Sequence, residues 1–196
     1  MNSKLSKIQT AIKSLIDIND KEWSYYSSLF TTRNYNKKEI LLQPDNVCDN
    51  IFFINKGLLR IFFMDKNGNE STFYFSQEND FAVDYESFLN RTPSNYTIEA
   101  MEDTQVVHMS YKMVVDGYKK LRNGEKLGRL LAEKYFIIFS RKIQNIYTKT
   151  PYERYQLMNI QFPNIRQRVS QHYIASYLNI SSVHLSRLIN KKLPLI

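Results

Sequence analysis

Apolar residues recur at three- and four-residue steps near the start of the chain, where Leu5, Ile8, Ile12, Leu15 and Ile16 are spaced by Ser3, Lys4, Lys7 and Lys13. That period predicts an amphipathic helix acting as a packing arm. From Glu39 to Met109 the texture becomes short apolar or alternating runs: Ile40–Leu42, Ile51–Ile54, Leu58–Met64, Ser71–Phe75, Tyr96–Met101 and Gln105–Met109. Their Ile, Val, Phe and Tyr content predicts strands. Turn residues separate them at Pro44-Asp45-Asn46, Asn55-Lys56-Gly57 and Asp65-Lys66-Asn67-Gly68-Asn69, the last holding an Asn-Gly pair that favours a tight hairpin. Many short strands without helix-length spacers predict an antiparallel β-barrel or jelly roll and not a parallel sheet.

After Met109 the period is helical again. A short segment near Lys112–Lys120 precedes a long one, about Glu125–Tyr147, striped by Leu127, Leu130, Leu131, Ile137, Ile138 and Ile146. At about 1.5 Å per residue this helix spans roughly 30 Å, more than a small barrel covers. The surplus stripe predicts a dimer helix, with Leu127, Leu131 and Ile138 facing a second copy, the alternative being packing within the same chain. Thr150-Pro151 opens a further helix, because proline suits a first helical turn, and Phe162-Pro163-Asn164 stops it. The expected architecture is α+β, in three parts: an effector-type barrel with its N-terminal helix (1–120), a dimerisation helix and hinge (121–149), and a helix-turn-helix domain (150–196).

Composition narrows the function. The chain has 196 residues, 43% of them hydrophobic and 23% charged, which is enough for one or two packed domains. No apolar run approaches the roughly 18 residues of a membrane helix and Met1–Asp20 carries charges throughout, so a cytoplasmic protein without membrane attachment is expected. One cysteine, Cys48, excludes an internal disulfide, a cysteine zinc site and an iron–sulfur cluster; three scattered histidines give no metal-ligand spacing. The net charge of +8 is unevenly placed. Residues 1–110 hold 11 Lys and Arg against 15 Asp and Glu, whereas residues 111–196 hold 16 against 4. The basic second half predicts a polyanionic partner.

The stretch Ser170 to Leu188 carries the sharpest signal. Two short crossing helices need a small residue at their contact, a left-handed residue in the turn and an apolar lock. Ala175 supplies the first and Asn179, tolerant of positive φ, the second. Ile174, Leu178, Ile180, Leu185 and Leu188 supply the lock, and Ser181 or Ser182 can cap the second helix. Left outward are Ser182, Val183, His184, Ser186 and Arg187, with Lys191 behind, and Ser170 and Gln171 at the start of the first helix. Short polar groups and one arginine suit a DNA major groove, and Arg187 is the best candidate for base readout.

The order of parts resembles the Crp/Fnr superfamily of bacterial transcription regulators. The resemblance rests on Ile51-Phe52-Phe53-Ile54-Asn55-Lys56-Gly57 leading to the Arg60 strand, on Asn79-Asp80-Phe81, on Met109-Ser110-Tyr111-Lys112, and on the helix-turn-helix. It covers about Glu39 to Lys192, and the Pro151-Tyr152-Glu153-Arg154-Tyr155 segment is most similar to the short members. It implies a homodimer that binds an inverted repeat of double-stranded DNA, with RNA polymerase as a further partner. It also implies that the terminal wing hairpin of longer relatives is missing, or replaced by the residues after Asn190.

In that family a cyclic nucleotide is held by a Gly-Glu-Leu triplet and, about ten residues later, an arginine for its phosphate. The matching positions here are Val83-Asp84-Tyr85 and Ser94-Asn95, so the phosphate arginine is absent; Arg91, three residues away, reaches in only if the loop is reshaped. The adenine-contacting Thr-Ser pair maps to Phe139-Ser140. Asp84, Tyr85, Ser94, Asn95, Phe139 and Ser140 are therefore the candidate pocket residues, without cyclic AMP in the family's usual mode. Two alternatives stand: a different, more apolar small-molecule effector, or a barrel closed by its own aromatics. No catalytic residue, cofactor or metal ligand is assigned, since a cupin-like enzyme needs clustered His and Glu and the strands hold one histidine, His108, read as a half-buried core residue. A non-specific architectural DNA-binding protein is the main rival.

Overall fold

The computed structural model describes residues 3–190. After a short 3-10 turn, α1 (Ser6–Lys13) and α2 (Asp20–Ser27) precede the strands. Asn19 caps α2 in a reciprocal capping box with Glu22; this helix is too polar to show an apolar period, and its Asn-x-x-Glu signature is what identifies it. Eight strands follow: β1 (Thr31–Tyr35), β2 (Ile40–Leu42), β3 (Asn50–Lys56), β4 (Leu59–Met64), β5 (Glu70–Ser76), β6 (Phe81–Ala82), β7 (Thr97–Ala100) and β8 (Thr104–Ser110), with α3 (Tyr85–Asn90) between β6 and β7. They form two antiparallel four-stranded sheets, ordered β1-β8-β3-β6 and β2-β7-β4-β5, which is the expected jelly-roll arrangement. Phe53, Ile54, Leu58, Leu59, Phe75, Phe88 and Ile98 are fully buried in the core.

The turns follow backbone chemistry. Gly57 has φ 103°, and a Cβ there would lie 2.3 Å from the Thr104 hydroxyl. In the β4–β5 loop only Gly68 takes positive φ (78°) and Asn67 does not. The Asp65 carboxylate accepts from the backbone N–H of both Asn67 and Asn69, closing a longer turn than the two-residue hairpin expected of an Asn-Gly pair.

Beyond the barrel, α4 (Tyr111–Lys120) and α5 (Gly124–Thr148) are followed by α6 (Pro151–Gln161), α7 (Ile165–Arg168), α8 (Gln171–Tyr177) and α9 (Ser182–Asn190). Thr150 caps α6 in a capping box with Glu153, and Pro151 takes the first helical position. The first half of α5 lies on the barrel and this turns the expected dimer stripe inward. Leu127 is 5% exposed, and Leu131 and Ile138 pack against the core of their own chain. The apolar side chains left in solvent on α5 are Phe136 (73% exposed), Ile137 (46%), Ile143 (55%) and Tyr147 (84%); Phe136, Ile143 and Tyr147 with Ser140 follow a four-three-four spacing on one face. Among the described residues no helix is long and apolar enough to cross a membrane.

Candidate functional site: a tyrosine-lined cavity and an exposed helix

A cavity of about 480 Å³ lies between the barrel and α4–α5, within the usual size of a small-molecule site, roughly 300–1,000 Å³. The barrel is thus not closed by its aromatics. A β-bulge shapes one wall: the β4–β5 register passes from Ile61 opposite Tyr74 to Phe62 opposite Thr72, leaving Phe73 as an extra residue. Consecutive strand residues ordinarily face opposite sides, but the bulge re-aims them so that Phe73 and Tyr74 both line the cavity. Tyr135 closes the far wall, its hydroxyl accepting from the Phe81 N–H at 2.8 Å. Phe139 packs on the Phe73 ring at 4.7 Å between centroids.

Of the expected pocket residues, Asp84, Tyr85 and Phe139 line this cavity, whereas Ser94, Asn95 and Ser140 do not. Asn95 and Ser140 are exposed. Ser94 is buried and spent on structure: its hydroxyl donates to Asp84 at 2.6 Å and accepts from the Tyr96 N–H. Asp84 also caps α3 by accepting from the Ser87 N–H. Arg91 does not supply the missing phosphate contact. It pairs with Asp49 at 2.6 Å and lies 4.2 Å from the Tyr111 ring centre. Burial pushes the Tyr118 phenol, another cavity residue, up to about 12 and Tyr26 higher still, so both stay neutral. His108 is half-buried and shares a 3.1 Å hydrogen bond with the Tyr35 hydroxyl, as a core residue would. Cys48 is buried with its thiol pushed up to about 11, the character of an inert side chain.

The second candidate surface is α9. The turn before it places Asn179 at φ 54°, and the His184 N–H donates to the Ser181 hydroxyl at 3.1 Å as a cap. Leu185 is fully buried and anchors the helix, while Ser182, Val183, His184 and Arg187 remain exposed on it. Ser186 is half-buried and accepts from the Asn190 side chain. Ser170 and Gln171 lie exposed at the start of α8, and Lys191 lies outside the described residues. Arg154 fixes the turn from α6, donating to the Leu178 carbonyl from two nitrogens and to the Lys149 carbonyl from the third.

Sequence reasoning did not foresee how firmly these helices join the barrel. Arg60 is fully buried on β4, paired with Glu70 (2.5 Å) and Glu99 (3.1 Å), and its guanidinium lies between the rings of Phe62 (3.8 Å) and Tyr173 of α8 (3.9 Å). The Ser176 hydroxyl bridges β5 by accepting from the Thr72 N–H and donating to the Glu70 carbonyl. Arg168 pairs with Glu78 and Glu102. Lys142 of α5 donates to the Phe73 carbonyl and lies 4.2 Å from the Tyr177 ring centre; burial pushes its ammonium down to about 7. An arginine inside the apolar run Leu59–Phe63 was the available signal, since a buried charge requires partners.

Residues 32–120 match the family described as cyclic nucleotide-binding domain. No curated protein matches the chain. Among solved structures it is similar to FixK2 from Bradyrhizobium japonicum (TM-score 0.70, 15% identity, 82% of this chain and 83% of that one). A protein described as a transcriptional regulator of the Crp/Fnr family from Eubacterium rectale gives 0.71 at 18% identity, over 88% and 82%. A variant of CooA from Carboxydothermus hydrogenoformans gives 0.68 at 16% identity, over 97% and 84%. The chain thus shares the fold of these solved regulators, and its residues 32–120 are similar to the cyclic nucleotide-binding domain family.

Proposed function

We propose that the chain is a sequence-specific DNA-binding transcription regulator that acts as a homodimer and is not an enzyme. The observation that carries this reading is the exposed face of α9, where Ser182, Val183, His184 and Arg187 stand free on a helix locked from behind by Leu185. A helix presented in this way can lie in the major groove, where an arginine makes a bidentate contact to guanine. The seam of Phe136, Ser140, Ile143 and Tyr147 supports pairing of two α5 helices, which would set two reading helices on half-sites roughly 34 Å apart in an inverted repeat. In this reading residues 1–120 sense, 121–149 dimerise and 150–196 read DNA, with RNA polymerase as the partner that converts binding into regulation.

Selection of duplexes from a random pool by the purified protein at near-physiological salt tests it. Enrichment of one inverted repeat is the expected result, and Arg187→Ala should lower discrimination against mismatched sites by about 1–3 kcal/mol. No enrichment by a folded dimer, with or without ligand, or a site preference unchanged in Arg187→Ala, would refute the assignment of α9 as the reader.

A further inference from the structure

The charges around the cavity identify the kind of molecule that fits it. Its two acidic side chains are Asp84 and Glu86, and among the described residues no Lys, Arg or His lines it. Asp84 is buried and held in place by Ser94 and the Ser87 N–H, yet no cation pairs with it or with Glu86 among the described residues. Lys134, adjacent to Tyr135 in the chain, is paired with Asp80 at 3.7 Å and lies outside the lining. Buried carboxylates are ordinarily matched by a positive charge. Here the surrounding surface is aromatic: Tyr26, Tyr85, Tyr96, Tyr118 and Tyr135 share the lining with Phe73 and its neighbours. Ring faces carry negative potential and attract organic cations, most strongly where water is excluded.

We propose that this cavity is a receptor for an aromatic organic cation, held between tyrosine faces and the Asp84 and Glu86 carboxylates. An anionic nucleotide is disfavoured on the same grounds, because its phosphate would face two carboxylates and no arginine. A neutral apolar molecule fills the volume but leaves Asp84 uncompensated. The inference goes beyond the DNA-binding reading and does not depend on it.

Ligand-observed NMR titration of the full chain, without DNA, tests it with three probes: phenyltrimethylammonium, its uncharged isostere tert-butylbenzene, and cyclic AMP. Phenyltrimethylammonium is expected to bind at least about tenfold more tightly than tert-butylbenzene, with no saturable binding of cyclic AMP. Asp84→Asn keeps an oxygen to cap α3, and Glu86→Gln alters an exposed side chain. Each should erode the cation's advantage while leaving tert-butylbenzene binding unchanged. Equal affinity for the two isosteres, saturable binding of cyclic AMP, no binding of the cation by folded protein, or a cation affinity unmoved in both variants would each overturn the proposal.

Discussion

Replacing Arg60 with Met tests whether the guanidinium on β4 holds the molecule together. Arg60 has no exposed surface, and its partners differ: the Glu99 side chain is 12% exposed, the Glu70 side chain 38%. In Arg60→Met, Glu70 can turn to water, but Glu99 stays buried without a counter-charge. Removing one partner of a buried pair costs about 3–5 kcal/mol. At roughly 2–4 °C per kcal/mol for a chain of this length, the melting temperature should fall by roughly 10 °C. The double variant Arg60→Met/Glu99→Met removes both buried charges and should recover most of the loss, as apolar replacement of a whole pair often does. Tyr173 supplies a second readout, since it loses the cation it covers and α8 should exchange its amide hydrogens faster. Calorimetry of the three proteins, with hydrogen exchange at α8, is the assay. A single variant melting within about 2 °C of the parent, against the roughly 10 °C worked out above, would refute the reasoning. So would a double variant less stable than the single.

Two further outcomes follow from the helices. Lys142 is held down to about 7 by burial, well below its value of about 10.4 in an unfolded chain, so between these limits the unfolded state binds more protons and stability from this group rises with pH. The advantage of Lys142→Met over the parent in unfolding free energy should therefore shrink between pH 7 and pH 10, read by denaturant titration; a pH-independent difference contradicts it. Phe136→Glu with Ile143→Glu places charges on the exposed seam of α5 and should convert a dimer to a monomer in analytical ultracentrifugation, whereas an unchanged sedimentation coefficient would place the dimer contact elsewhere.

The elements that bury one face were legible in the chain, and those that do not were not. Six strands, the long α5 and the α8–α9 pair declare themselves through apolar period and turn residues. β1 escaped because its residues Thr31 to Tyr35 are mostly polar and only Tyr35 is buried, and β6 because two residues carry no period. For the apolar stripe of α5, period alone left open whether its residues meet a second copy or their own chain. Periodicity gives the apolar faces of α5 but not which of them the barrel takes, and the barrel takes the one holding Leu127 and Leu131. In the pocket, substitution against the family pattern revealed what was missing at Ser94 and Asn95. It could not reveal that Ser94 is tied to Asp84, nor that tyrosines from α2, α4 and α5 complete the wall.

One residue, Phe73, joins the cavity to the helices beyond the barrel. Because Phe73 is the extra residue of a bulge, its ring joins that of Tyr74 on the cavity wall, and its carbonyl is free to accept from Lys142. On either side of it β5 is held by the helices that follow α5: Thr72 through Ser176, Tyr74 through Gln161, and Phe75 against Phe162 and Tyr177. A regular strand would send alternate residues to opposite faces and keep the cavity separate from the helices. With the bulge, the four-residue run from Thr72 to Phe75 forms both the cavity wall, through Phe73 and Tyr74, and the seat of α8, through Thr72 and Phe75, so the two surfaces cannot be packed independently of each other.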